Sequence, residues 1–132
     1  MEINEITHAV VDAAYGIHRR FGPGLLESVY EAVLARVLEK RGLSVKRQVA
    51  VAFEYQGIQI KEGFRVDLLV ENMVVVELKS VELLAPVHAK QLLTYLRVLD
   101  LPVGLLINFG APTLKQGIRR IANADAPRLP PL

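Results

Sequence analysis

The chain has 132 residues, 52% of them hydrophobic, enough to bury a core and to predict a single domain over 1–132. Its 16 Lys and Arg against 14 Asp and Glu leave a net charge of +2, which permits a phosphate-bearing partner but excludes nucleic-acid binding by bulk charge alone. With Cys 0, thiolate catalysis, disulfides and Cys-type zinc sites are excluded, leaving oxygen and nitrogen groups and hard metals, as expected of a cytoplasmic protein.

Ile3, Ile6, Val10, Ala13, Ala14 and Ile17 recur at spacings of three and four, which predicts an amphipathic helix over 3–20, closed by the breaker Gly22-Pro23-Gly24. Leu26, Val29, Val33 and Val37 predict a second helix over about 25–41, with Gly42 as its stop, so that the two form an αα-hairpin. From Ser44 the period changes to two. Val45, Arg47, Val49, Val51 and Phe53 predict a strand that turns at Gln56-Gly57; Ile58 and Ile60 begin the return, which continues as a longer strand over 63–70. Val74, Val76 and Leu78 mark one face of a third strand, with Val75, Glu77 and Lys79 on the other. Pro86 opens a helix to about residue 99, and Val103 to Phe109 reads as a strand buried on both faces. The segment 114–121 is ambiguous between strand and helix, and the proline-rich tail 126–132 is expected to be irregular. The order ααβββαβ predicts an α/β fold, one mixed sheet with flanking helices. No run approaches the roughly 18–20 apolar residues of a membrane span, and Glu2 and Glu5 stand where a secretory leader would be basic.

Register decides whether Asp67 meets Glu77 and Lys79. If Val66, Leu68 and Val70 pair with Leu78, Val76 and Val74, both hydrophobic sets stay on one face and Asp67 falls opposite Glu77, whereas a slip of one residue exposes half of a core face. Two facing carboxylates raise one another's pKa unless a cation lies between them. Mg²⁺, which takes one or two carboxylates together with waters and phosphate oxygens, suits the pair, with Mn²⁺ as its substitute. Lys79 adds a cation able to orient a water or steady a phosphorane-like transition state, so the chemistry expected is hydrolysis of phosphodiesters. Arg19-Arg20, Lys40-Arg41, Lys46-Arg47 and Arg119-Arg120 are candidate phosphate contacts if the fold gathers them on one face.

Asp67, nine intervening residues and Glu77-Leu78-Lys79 resemble the signature of the PD-(D/E)XK nucleases, with Val66 in place of the signature proline. Gly24-Leu25-Leu26-Glu27-Ser28-Val29-Tyr30 matches the motif of the GxxExxY branch, Gln91-Leu92-Leu93-Thr94-Tyr95-Leu96 resembles its helix motif, and Gly104 to Gly110 resembles its last core strand. The resemblance spans residues 3–122. It implies a restriction-endonuclease-like αβββαβ core with an extra N-terminal helix, and it brings Glu27 to the metal as a carboxylate beside Asp67 and Glu77. It also places Gln91 near the site, so the implied catalytic set is Glu27, Asp67, Glu77, Lys79 and Gln91. Tyr30 is read as a packing residue, and His18 as the histidine closest to the Gly-rich turn. The expected function is a Mg²⁺-dependent nuclease acting on nucleic acid, DNA in preference to RNA, as a homodimer. The alternative is a non-catalytic nucleic-acid or protein interaction module that keeps the nuclease fold.

Overall fold

The computed structural model describes residues 1–123; the proline-rich stretch 126–132 lies outside them. In chain order the elements are α1 (Ile3–Phe21), α2 (Glu27–Lys40), β1 (Val45–Tyr55), β2 (Ile58–Val70), β3 (Val74–Lys79), α3 (Pro86–Leu99), β4 (Val103–Asn108), α4 (Leu114–Gly117) and β5 (Ile118–Ala122). The ambiguous last segment is thus both things, one helical turn followed by a strand. The five strands form one sheet in the order β1-β2-β3-β4-β5, antiparallel except for the β3–β4 pair, which α3 connects in parallel. This is an α/β, restriction-endonuclease-like architecture. Among the described residues no helix is long and apolar enough to cross a membrane.

Helical periodicity places Ile6, Val10, Ala13 and Ile17 of α1 and Tyr30, Leu34 and Leu38 of α2 on one side of the sheet, against Leu68, Val70, Val76, Leu78 and Ile107. On the opposite side α3 lays Leu92 and Leu96 over Val51, Val66, Val75 and Leu106. Each fully buried Leu, Ile or Val side chain among these contributes roughly 1.5–3 kcal/mol. β3 and β4 are covered on both faces, which accounts for their nearly unbroken apolar sequences.

The register across the β2–β3 hairpin follows the apolar pattern at three positions, Val70 with Val74, Leu69 with Val75 and Leu68 with Val76. The connection is Glu71-Asn72-Met73, with φ of 54 and 53 at its first two residues. Of the three expected pairs, the one between Val66 and Leu78 on one face does not form. Val66 packs beneath α3, whereas Leu78 packs beneath α1 and α2. The alternation of β2 therefore reverses between Leu68 and Val66. The neighbouring strand is kinked at the same level: Arg47 pairs with Leu68 and Val49 with Val66, while Gln48 between them has φ 50.

The Gly-rich connection between α1 and α2 is held from two sides. The Tyr30 hydroxyl donates to the Gly22 carbonyl oxygen and accepts from the Leu25 amide, and the Ser80 hydroxyl, just past β3, donates to the Leu25 carbonyl oxygen at 3.1 Å. The Tyr30 ring stacks on Phe109 at 4.3 Å. These contacts fix where α2 begins, at Glu27, two residues later than the periodicity suggests. Tyr30→Phe keeps the stacking but leaves two backbone groups without their partner; it is expected to lower stability by about 1–3 kcal/mol, measured by urea unfolding.

Candidate active site

The hydrogen-bond ladder between β2 and β3 stops at Leu68–Val76, and beyond it two carboxylates take over from the backbone. The Asp67 amide donates to Glu77 Oε1 at 3.1 Å, and the Leu78 amide donates to Asp67 Oδ2 at 2.8 Å. Each acid thus satisfies an amide freed by the parting strands, and this reciprocal arrangement draws the two acids together. Glu77 is buried, with 8% of its surface exposed, and Asp67 is half-buried. Burial and then the negative charge of Asp67 push the Glu77 carboxyl up to about 9, against opposing effects of the Asp67 amide and Lys79.

Glu27 opens α2 and lines an open cleft of about 410 Å³ with Leu26, Ser28, Glu31, Gln48 and Asp67. Partial desolvation raises its carboxyl pKa; the charge of Lys79 lowers it, and the charges of Asp67 and Glu31 raise it further. Lys79 therefore acts on both Glu27 and Glu77 while forming no ion pair within 4.0 Å among the described residues.

The described residues contain no group of three His, Asp or Glu side chains gathered at metal-ligand spacing. The expected trio Asp67, Glu77 and Glu27 is not gathered into one such group: strand geometry joins Asp67 to Glu77, and Glu27, at the start of α2, lines the same cleft as Asp67. Gln91 belongs to α3. It is exposed there and makes no side-chain hydrogen bond among the described residues. From the same helix Tyr95, stacked on Phe64 at 4.1 Å, senses the carboxylates: desolvation and then the charges of Glu77 and Asp67 raise its pKa.

Two residues that sequence reasoning passed over border the acids. Glu31 is buried and accepts from Arg47 at 3.1 Å and from Gln48 Nε2 at 2.6 Å; the same Gln48 nitrogen reaches Asp67 Oδ1 at 3.2 Å. Glu31 was detectable as the residue one helical turn after Glu27. Gln48 carried no periodic signal. His18, by contrast, is a buried tie, its Nε2 2.9 Å from the Ala111 carbonyl oxygen. The basic pairs do not offer a continuous set of free cations, since Arg41, Arg47 and Arg120 are engaged with Asp12, Glu31 and Asn4.

A family model described as the PD-(D/E)XK nuclease superfamily matches residues 4–121. The chain belongs to the PD-(D/E)XK nuclease superfamily. No curated protein and no solved structure matches it. Nucleases of this superfamily generally use divalent metal ions. The donor set of this chain fits such an ion: Asp67 and Glu77 are drawn side by side, and a divalent cation between them would offset the mutual repulsion that helps raise the Glu77 carboxyl.

The direction of the Glu77 shift fixes a pH dependence for this PD-(D/E)XK protein without metal. A carboxyl raised from 4.5 to about 9 holds its proton more tightly in the folded than in the unfolded state. Its contribution is complete below pH 4.5 and is lost as pH rises toward 9, on the order of 1 kcal/mol per pH unit in that window. In EDTA, the urea stability of the wild type relative to Glu77→Gln is expected to fall steadily from pH 5 to pH 8. A difference independent of pH would show that Glu77 is not held protonated.

Proposed function

We propose that the chain is a Mg²⁺-dependent nuclease that hydrolyses phosphodiester bonds of nucleic acid, with DNA as the substrate, and that it falls in the GxxExxY branch of the superfamily. The observation that carries this reading is Glu77, buried and pushed up to about 9 against Asp67, with Lys79 two residues further on the same strand. Structural ion pairs have no need of two facing acids. A site that lowers the charge of its own acids by protonation, until a cation arrives, is suited to taking up metal and phosphate together.

In this reading Asp67 and Glu77 hold Mg²⁺, which when bound supplies Lewis acidity toward the phosphate oxygens. Mn²⁺ serves in its place. Lys79 steadies negative charge on the phosphoryl oxygens as the attacking water adds. Glu27, which lines the same cleft as Asp67, supplies a further carboxylate that orients this water. Gln91, exposed on α3, meets the nucleic acid. The site works in the cytoplasm, in agreement with Cys 0, and two copies acting on two strands give the homodimer a purpose.

The test is cleavage of single-stranded, duplex and branched DNA, and of RNA, with Mg²⁺, Mn²⁺ or EDTA. Cleavage should require the divalent ion, and Asp67→Ala and Lys79→Ala should each lower it by about 10²–10³-fold or more while leaving the circular dichroism spectrum unchanged. Equal cleavage by the wild type and both variants would remove these residues from catalysis. No cleavage of any substrate by the wild type, with nucleic-acid binding retained, would select the interaction-module reading instead.

A further inference from the structure

Gln48 lies where the β1–β2 ladder is interrupted, between the pairs Arg47–Leu68 and Val49–Val66, and holds φ 50, a conformation that side chains other than glycine rarely adopt. Its carbonyl oxygen accepts from Arg65 Nη1 at 3.1 Å. The kink turns the side chain toward the cleft, where Nε2 lies 2.6 Å from Glu31 Oε1 and 3.2 Å from Asp67 Oδ1. Both neighbours are carboxylates. Ionised carboxylates only accept, so the amide nitrogen is the end that faces them, and its two hydrogens serve one acid each.

The remaining oxygens show what this bridge does. Glu31 Oε2 is taken by Arg47, at 3.1 Å from Nη2 and 3.3 Å from Nε, while Oε1 is taken by Gln48. Glu31 is therefore an anchor and not a ligand, its charge balanced by the Arg47 guanidinium on its other oxygen. Asp67 has one donor on each oxygen, the Leu78 amide on Oδ2 and Gln48 on Oδ1. Two donors on different oxygens fix the plane of a carboxylate, and each oxygen keeps a lone pair for a cation. The bridge is also neutral. Lys or Arg in the place of Gln48 would pair with Asp67 and compete with a divalent ion, whereas an amide orients the carboxylate and leaves its charge uncompensated.

We infer that Gln48 is a positioning residue for the metal site, holding the Asp67 carboxylate in the orientation that accepts a divalent cation, with Glu31 and Arg47 as its anchor. The inference rests on the metal-dependent reading of Asp67 and Glu77. Two variants separate the side chain from the backbone it sits on. Gln48→Gly keeps a positive φ without strain and removes the amide. Gln48→Asn keeps the amide but is one methylene too short to span both acids.

The experiment is calorimetric titration of EDTA-treated protein with Mn²⁺, alongside urea unfolding of the same samples. Both variants are expected to bind Mn²⁺ about 10–100-fold more weakly than the wild type, with Gln48→Gly unfolding at the wild-type urea midpoint or above it, and Asp67→Ala showing no binding. Wild-type affinity in both variants, with Asp67→Ala inactive in binding, would overturn the role of Gln48 and leave the metal site standing. A loss of affinity that follows a lowered urea midpoint in both variants would reduce Gln48 to a structural role and overturn it equally. Absence of Asp67-dependent Mn²⁺ binding in the wild type would overturn the metal reading, and this inference with it.

Discussion

Where β2 and β3 part, two backbone amides lose their partners, and the carboxylates of Asp67 and Glu77 replace them. An unpartnered buried amide costs roughly 1–3 kcal/mol, and in sparing two part-buried amides that loss the two bonds draw the acids side by side. The rest of the site is arranged around that fork. Lys79 emerges one step further along β3, and Gln48 reaches Asp67 from the kinked strand on the other side.

Helix α2 meets this fork because several contacts tie its start to the strand ends. Ser80 leaves β3 and bonds to Leu25, while Tyr30 grips both Gly22 and Leu25 and stacks on Phe109 at the end of β4. Asn108 binds the Val81 amide and carbonyl, closing the strand ends beneath the loop, and Gly110 is required beside it because a Cβ there would lie 2.4 Å from the Val81 carbonyl oxygen. In the motif Gly24 to Tyr30, the tyrosine thus serves as a mechanical post, and the glutamate as the group it presents to the cleft. The packing of α1, α2 and α3 on the two sheet faces supplies the stability that a buried, protonatable acid and a strained Gln48 take away.

Membership of the nuclease superfamily and the fold agree, but the fold alone does not name a substrate. The chemistry rests on the acids. Burial and the charge of Asp67 push the Glu77 carboxyl up, and Asp67 is held by one donor on each oxygen, so the proposed cation site rests on desolvation of one acid and orientation of the other.

Local physics in the sequence determined the elements and their order through β4: the 3.6-residue periods of Ile3 to Ile17, the two-residue alternation from Val45, and the apolar runs of the central strands. It also determined the hairpin register at Val70–Val74 through Leu68–Val76, because any slip would have exposed a core face. Only the tertiary structure decided what happens past Leu68. The reversal that sends Val66 toward α3, the left-handed Gln48 beside it, and the burial of Glu31 against Arg47 depend on contacts between segments far apart in the chain, and a change of strand face leaves no period to read. The same holds for Glu27 and Gln91, whose distance from Asp67 is set by how α2 and α3 seat on the sheet and not by their own neighbours in sequence.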